Sequence, residues 1–217
     1  MYILFHSPFS QHARRVVSLL IEAELPYELR HVAMEKSEHT SPEYLAINPN
    51  HQIPTLLDGD IKIHESNAIL RYLCTKHALT DWYPNDLAAR AAVEQWLDWN
   101  QCRLSPAVVD IVLNAVFLGE RGDKNAIARG RSKLPELERL VEDRLAGRAF
   151  LAGERPTIAD LSLVSSIFQL GFAAIAPGGA HTRAWFERML ALDGVRRFLT
   201  RKIVQGQRWQ ACEGCLS

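Results

Sequence analysis

"NPNHQIPTLLDGDIKIHESNAIL", residues 48–70, is the stretch on which the fold turns. A proline has no N–H to give to a ladder, so Pro54 marks a strand that begins at Thr55 with its neighbour's backbone groups unpaired. "TLLDGDIKI" reads as two short strands joined at the Asp58-Gly59 pair, a hairpin turn signal. "SNAILRYLCTKHA" then carries apolar residues at helical spacing, and Ser66 opens that helix. A hairpin feeding directly into a helix calls for a small sheet with helices packed on it.

Working upstream, Tyr2 to His6 is a short apolar run suited to a buried strand. Ala13, Val16, Val17, Leu20 and Ile21 follow at i, i+3, i+4, i+7 and i+8, an amphipathic helix. "PYELRHVAM" is a second strand, and "SPEYLAI" a short helix with Ser41 as N-cap and Pro42 at N1. The order is β-α-β-α-β-β-α. Downstream of residue 87 the strand signals stop. "LAARAAVEQWLDWNQCRL", "SPAVVDIVLNAVFL", "AIARGRSKLPELERLVEDRLA", "TIADLSLVSSIFQL" and "TRAWFERMLAL" are helical, and Pro106 should kink or divide the first long helix. "TDWYPND" is the linker. The expected class is α/β plus all-α: a sheet domain over 1–78, a linker over 79–86 and a helical domain over 87–217.

The composition fits two modest soluble domains: 217 residues, 47% hydrophobic and 23% charged. Net charge is zero, which gives no bulk pull toward nucleic acid or an anionic membrane. No signal peptide or transmembrane segment is read, and four cysteines are too few for a disulfide scaffold. A cytoplasmic protein is expected. The pair Cys212 and Cys215 reads as a frayed tail rather than a metal or redox site, and no metal is expected. Cys74 and Cys102 are expected to be core thiols.

Three segments carry candidate chemistry. Ser10, between the first strand and first helix, can cap that helix, as can Ser7. The same hydroxyl at a helix N-terminus can also donate to an anion such as a thiolate, lowering a thiol pKa from roughly 8.5 toward neutrality. Ile53-Pro54 is either a trans edge-strand start or a cis bond, and the cis form would turn the Ile53 N–H and C=O toward an extended peptide. Glu65 and Ser66 either form a simple helix start or hold an ammonium and a carboxylate side by side, the two charges of an α-amino acid end.

Together, the serine after the first strand, "QIPTL" and "ESNAILRYL" resemble the glutathione transferases over almost the whole chain. "RPTIADLSLVSSI" looks like that family's second-domain signature, with Thr157 and Asp160 as a capping box. "SQHARRV" and "LDWNQCRL…NAVFLGE" look most like the theta class and its bacterial, serine-using relatives. The resemblance implies a thioredoxin-like N-terminal domain, glutathione as co-substrate and a homodimer. It implies Ser10 on the glutathione sulfur, Ile53 pairing with the cysteinyl part, and Glu65 and Ser66 on the γ-glutamyl end. His39 and Gln52 would meet the glycyl end, with Gln11 lining the pocket. Cys102 stands where some theta members carry an acid, and Ser105 where many carry an arginine implicated in releasing halide or sulfate.

The activity so implied is attack of a serine-stabilised glutathione thiolate on a hydrophobic electrophile, bound against Phe9 and, from helical phase, Val112 and Phe117, with Trp209 partly covering it. A glutathione-dependent peroxidase or isomerase needs only the same thiolate and a different pocket. A non-enzymatic interaction protein of the same fold is the other class, since "SQHARRV" also bears a faint likeness to bacterial stringent-starvation proteins.

Overall fold

The computed structural model describes residues 1–197. β1 (Tyr2–His6), α1 (Gln11–Glu22) and β2 (Tyr27–His31) form a parallel crossover unit, with Tyr2 opposite Tyr27 and His6 opposite His31. α2 (Pro42–Leu45) starts at the Ser41 cap, whose hydroxyl accepts from Tyr44 N–H, with Pro42 in its first turn. β3 (Thr55–Asp58), β4 (Ile61–His64) and α3 (Ser66–Lys76) complete a four-stranded sheet of order β2-β1-β3-β4, in which β3 runs antiparallel to both neighbours. The strand-and-helix order is the one the sequence predicts.

The hairpin differs in detail. Asp58 pairs with Ile61, so the loop residues are Gly59 and Asp60, not Asp58 and Gly59. Gly59 has φ +59°, which a residue without a Cβ adopts at no steric cost, so the glycine leads the loop.

Alternation along the strands sends side chains to two cores. Leu4 and Leu56 pack with Val16, Leu20, Ile69 and Leu73 under α1 and α3. Phe5 turns to the other face with Val32, Tyr44 and Ile53.

Among the described residues the second half is helical, as expected: α4 (Leu87–Trp99), α5 (Ser105–Val112), α6 (Lys124–Leu145), α7 (Ile158–Leu170) and α8 (Ala180–Leu190). Pro106 sits in the first turn of α5, and the division from α4 is made by a π-helical turn over Asn100–Leu104. A second π turn, Leu113–Phe117, follows α5. Every residue of α7 is buried, and α1, α4 and α5 pack around it. Its start is the predicted capping box. Thr157 N–H donates to Asp160 Oδ2 at 2.9 Å, and Ala159 N–H donates to Thr157 Oγ1 at 3.3 Å. Cys74 is buried, which pushes its thiol up to about 12. Cys102, expected in the core, is instead exposed: the buried stripe of this run is Val93, Trp96, Leu97, Asn100 and Leu104, and a residue two positions from Asn100 lies on the opposite face. Cys212, Cys215 and Trp209 lie outside the described residues.

Candidate active site

The strand registers bring the three sequence segments to one end of the sheet. Phe5 lies opposite Thr55, and Thr55 opposite His64. The loop after β1 (Ser10), the residue pair before β3 (Ile53, Pro54) and the residue after β4 (Glu65) therefore stand side by side.

Ser10 is the N-cap of α1, and its Oγ accepts from Ala13 N–H at 3.1 Å. Capping uses an oxygen lone pair, so the hydroxyl proton stays available to an acceptor beyond the helix end. Capping and anion donation are compatible roles of one half-buried side chain. Ser7, the other candidate, is buried, and its carbonyl accepts from Ser10 N–H at 3.0 Å. Gln11 is also buried and donates from Nε2 to Ser105 Oγ at 3.1 Å across the two halves of the chain.

The Ile53-Pro54 bond is cis. Among the described residues no hydrogen bond engages the Ile53 N–H or C=O. The preceding loop is held firmly: Gln52 C=O accepts from Tyr44 Oη at 2.6 Å and Asn48 Nδ2 at 2.9 Å. The Gln52 side chain is exposed.

Glu65 carries φ +67°, a left-handed conformation for a residue with a Cβ, and its side chain is exposed and makes no cap bond. Such strain persists only where surrounding structure fixes it, and it concentrates at functional sites. Ser66 opens α3, as the sequence predicts, and Glu65, with its positive φ, takes the cap position before it. Ser66 is buried and sits where the free N–H groups of the helix start.

His39 lies on a short 3₁₀ turn (Glu38–Thr40), with Nδ1 buried and unbonded among the described residues. Its ring centroid is 6.4 Å from that of His51.

The apolar side of the site is an aromatic cluster. Phe9 meets Phe117 at 5.9 Å and Phe172 at 6.4 Å between centroids, and Phe117 meets Phe172 at 6.1 Å. Phe117 remains 43% exposed. Val112 is not on this surface. It is 1% exposed, in the core, and the exposed apolar residues of its segment are Val109, Leu113 and Val116. Val112 belongs to the buried face of α5, with Val108 and Ile111. Phe172, absent from the sequence reading, sits in a 3₁₀ turn after α7, where no spacing rule singles it out.

Two arginines of α1 lie fully buried behind Ser10. Arg15 donates from Nη1 to Asn67 Oδ1 at 3.1 Å and to Ser162 Oγ at 2.8 Å. Arg14 donates to Ser165 C=O at 3.1 Å and to Gln169 Oε1 at 3.0 Å, with its guanidinium 4.3 Å from the Phe168 ring centroid. Burial lowers both to about 9, which leaves them charged at neutral pH. Burial and the Arg15 charge push the His12 imidazole down to about 3. The sequence did offer a signal for this pair: "ARRVV" puts two arginines inside an apolar helical stripe, where only partnered cations are tolerated.

Comparison with known proteins agrees along most of the chain. Residues 1–75 match the family model "Glutathione S-transferase, N-terminal domain", and residues 124–201 match the corresponding C-terminal domain. Human glutathione S-transferase theta-2 is 35% identical over 199 residues, spanning 88% of this chain and 81% of that protein. The chain belongs to the glutathione S-transferase family. Arabidopsis thaliana glutathione S-transferase F10 is 32% identical over 198 residues, spanning 87% of this chain and 92% of that one. Among solved structures, human theta-2 in complex with glutathione and an unknown ligand superposes with a TM-score of 0.87 at 31% identity, covering 94% of this chain and 89% of that chain. Poplar glutathione transferase F1 gives 0.85 at 27%, covering 94% and 98%. The chain is thus a transferase with a thioredoxin-like sheet domain and a helical domain. Among the described residues, no helix is long and apolar enough to cross a membrane.

Proposed function

We propose that this transferase holds glutathione along the end of the sheet and activates its thiol through Ser10. The observation that carries the reading is the Ser10 hydroxyl. Its lone pair is taken by Ala13 N–H while its proton is left for a thiolate at the N-terminus of α1. The helix dipole adds to the same effect.

The remaining residues fit the rest of the tripeptide. The unpaired N–H and C=O of Ile53 suit an extended cysteinyl segment, which would bond as an added strand. Exposed Glu65 suits the γ-glutamyl ammonium, and the α3 N-terminus at Ser66 its carboxylate. His39 and Gln52 take the glycyl end, while Gln11, tied to Ser105, forms the pocket floor. The thiol proton leaves to solvent, the thiolate sulfur forms a bond to an electrophilic carbon, and that carbon's leaving group departs. Phe9, Phe117 and Phe172 offer the apolar wall for that electrophile.

In this reading, residues 1–78 form the glutathione domain, 79–86 the linker and 87–217 the electrophile-binding domain. This is supported by the gap between Lys76, which ends α3, and Leu87, which begins α4. The free thiols of Cys74 and Cys102 suit a reducing, cytoplasmic setting, and a homodimer is proposed by family resemblance.

The test is a pH titration of thiolate absorbance with bound glutathione, for wild type and Ser10→Ala. Loss of the hydroxyl should raise the bound thiol pKa by about 1–2 units while glutathione still binds. An unchanged thiolate titration would move the activating role to Ser7 or the helix end.

A further inference from the structure

The helical half reaches into the loop that carries Ser10. Gln169, one residue before the end of α7, is buried. Its Nε2 donates to Phe9 C=O at 3.0 Å, and its Oε1 accepts from Arg14 Nη2 at 3.0 Å. A guanidinium only donates and a carbonyl only accepts, so the side chain between them must accept on one side and donate on the other. A carboxylate would meet Arg14 but not Phe9, and an apolar side chain would meet neither. The two partners therefore also fix which amide atom points each way.

The charge of Arg14 accounts for only half of this amide. Arg14 also donates to Ser165 C=O at 3.1 Å, and any acceptor at position 169 would serve it. The donor half goes to Phe9 C=O, the carbonyl of the peptide bond that leads into Ser10. The N–H of that same peptide donates to Ser7 C=O at 3.0 Å. Both polar atoms of the planar Phe9-Ser10 peptide are thus held, one by its own loop and the other by α7. From that fixed plane the extended conformation of Ser10, φ −80° and ψ 118°, carries its Oγ to Ala13 N–H. An activating group works only when it is held to within about 0.5 Å of its productive position.

We infer that Gln169 is a positioning residue for the transfer reaction: through Phe9 C=O it keeps the Ser10 hydroxyl aligned on the glutathione sulfur. The inference rests on the role proposed for Ser10 above. It makes thiol activation a joint property of both halves of the chain. The hydroxyl comes from the sheet domain and its alignment from α7.

A double-mutant cycle on the intact protein tests it, read as thiolate absorbance of bound glutathione against pH. Gln169→Met keeps the length of the side chain, adds no charge and removes the donor. With Ser10 present, it should raise the bound thiol pKa by about 0.5–1 unit, because the hydroxyl loses its alignment. In the Ser10→Ala background the same substitution should leave the pKa where Ser10→Ala alone puts it, since no hydroxyl is left to align. Where Gln169→Met is too unstable to titrate, Gln169→Glu takes its place. It keeps an acceptor for Arg14 and loses the donor, and its charge acts on the sulfur in both backgrounds, so the difference between backgrounds isolates the lost bond. No rise with Ser10 present, or equal rises in the two backgrounds, would overturn the proposal and leave Gln169 as a partner of Arg14 alone. An unchanged pKa in Ser10→Ala by itself is a separate result: it overturns the reading of Ser10 and takes this inference with it.

Discussion

His12 offers a sharp test of the electrostatics around α1. It lies two residues beyond the capping serine, half-buried, with Arg15 close in the same helix. Its folded pKa is about 3, against an unfolded value of 6.5. The folded value is depressed for a base, so the stability linked to the neutral ring is present above pH 6.5 and is lost as pH falls toward the folded pKa. At pH 5 the unfolded ring is almost fully protonated and the folded ring neutral, a penalty of ~2 kcal/mol, against ~0.2 kcal/mol at pH 7. A folded value of 4 gives the same ~2 kcal/mol at pH 5. His12→Gln removes the titration and keeps the size and polarity. With an m-value of about 2.5 kcal/mol per molar urea for a chain of this length, the wild-type midpoint should drop by about 0.7 M more than the variant's between pH 7 and pH 5. The other histidines are common to both proteins and cancel in the difference. Parallel pH dependence of the two midpoints, at equal protein concentration, would refute the argument.

Two further outcomes follow from the helical half. Asp160 is fully buried and accepts from Leu151 N–H, Thr157 N–H, Thr157 Oγ1 and Trp185 Nε1. Asp160→Asn turns an N–H₂ toward at least one of these donors, so chemical denaturation should show a loss of about 2–4 kcal/mol with an unchanged slope. Phe172→Ala removes one wall of the aromatic cluster. Steady-state kinetics should show KM for an aromatic electrophile rising several-fold while glutathione affinity, read by calorimetry, is unmoved.

The overall architecture was legible because strand and helix periods differ and the chain obeys each within its own half. β1 and the β3–β4 hairpin show as short apolar runs, and α1 and α3 as stripes at helical spacing. The capping box at Thr157 and Asp160 was legible for a similar reason: it is local, three residues apart. Features that depend on contacts distant in sequence were not legible. Val112 and Phe117 lie on one apolar run, and apolar residues alone do not say which face meets the core: Val112 is on the buried face with Val108 and Ile111, and Phe117 is exposed. Cys102 lies off the buried stripe Val93, Leu97, Asn100 and Leu104, a spacing that the sequence carries but that its apolar neighbours obscure. The helix start at Ser66 shows in the sequence, but that Glu65 before it takes a positive φ shows only in the backbone.

The link from Arg15 through Asn67 to Ser162, with Asn100 Nδ2 also donating to Ser162 Oγ at 2.9 Å, couples the two halves of the chain through fully enclosed polar atoms. Its consequence is for modularity. A helical half transplanted from a relative onto this sheet must bring acceptors for Arg14 and Arg15 at the positions of Ser162, Ser165 and Gln169, or leave guanidinium groups stranded without water. Diversification of this scaffold is therefore channelled outward, to the open aromatic rim at Phe117, where a side chain can change without breaking the seam.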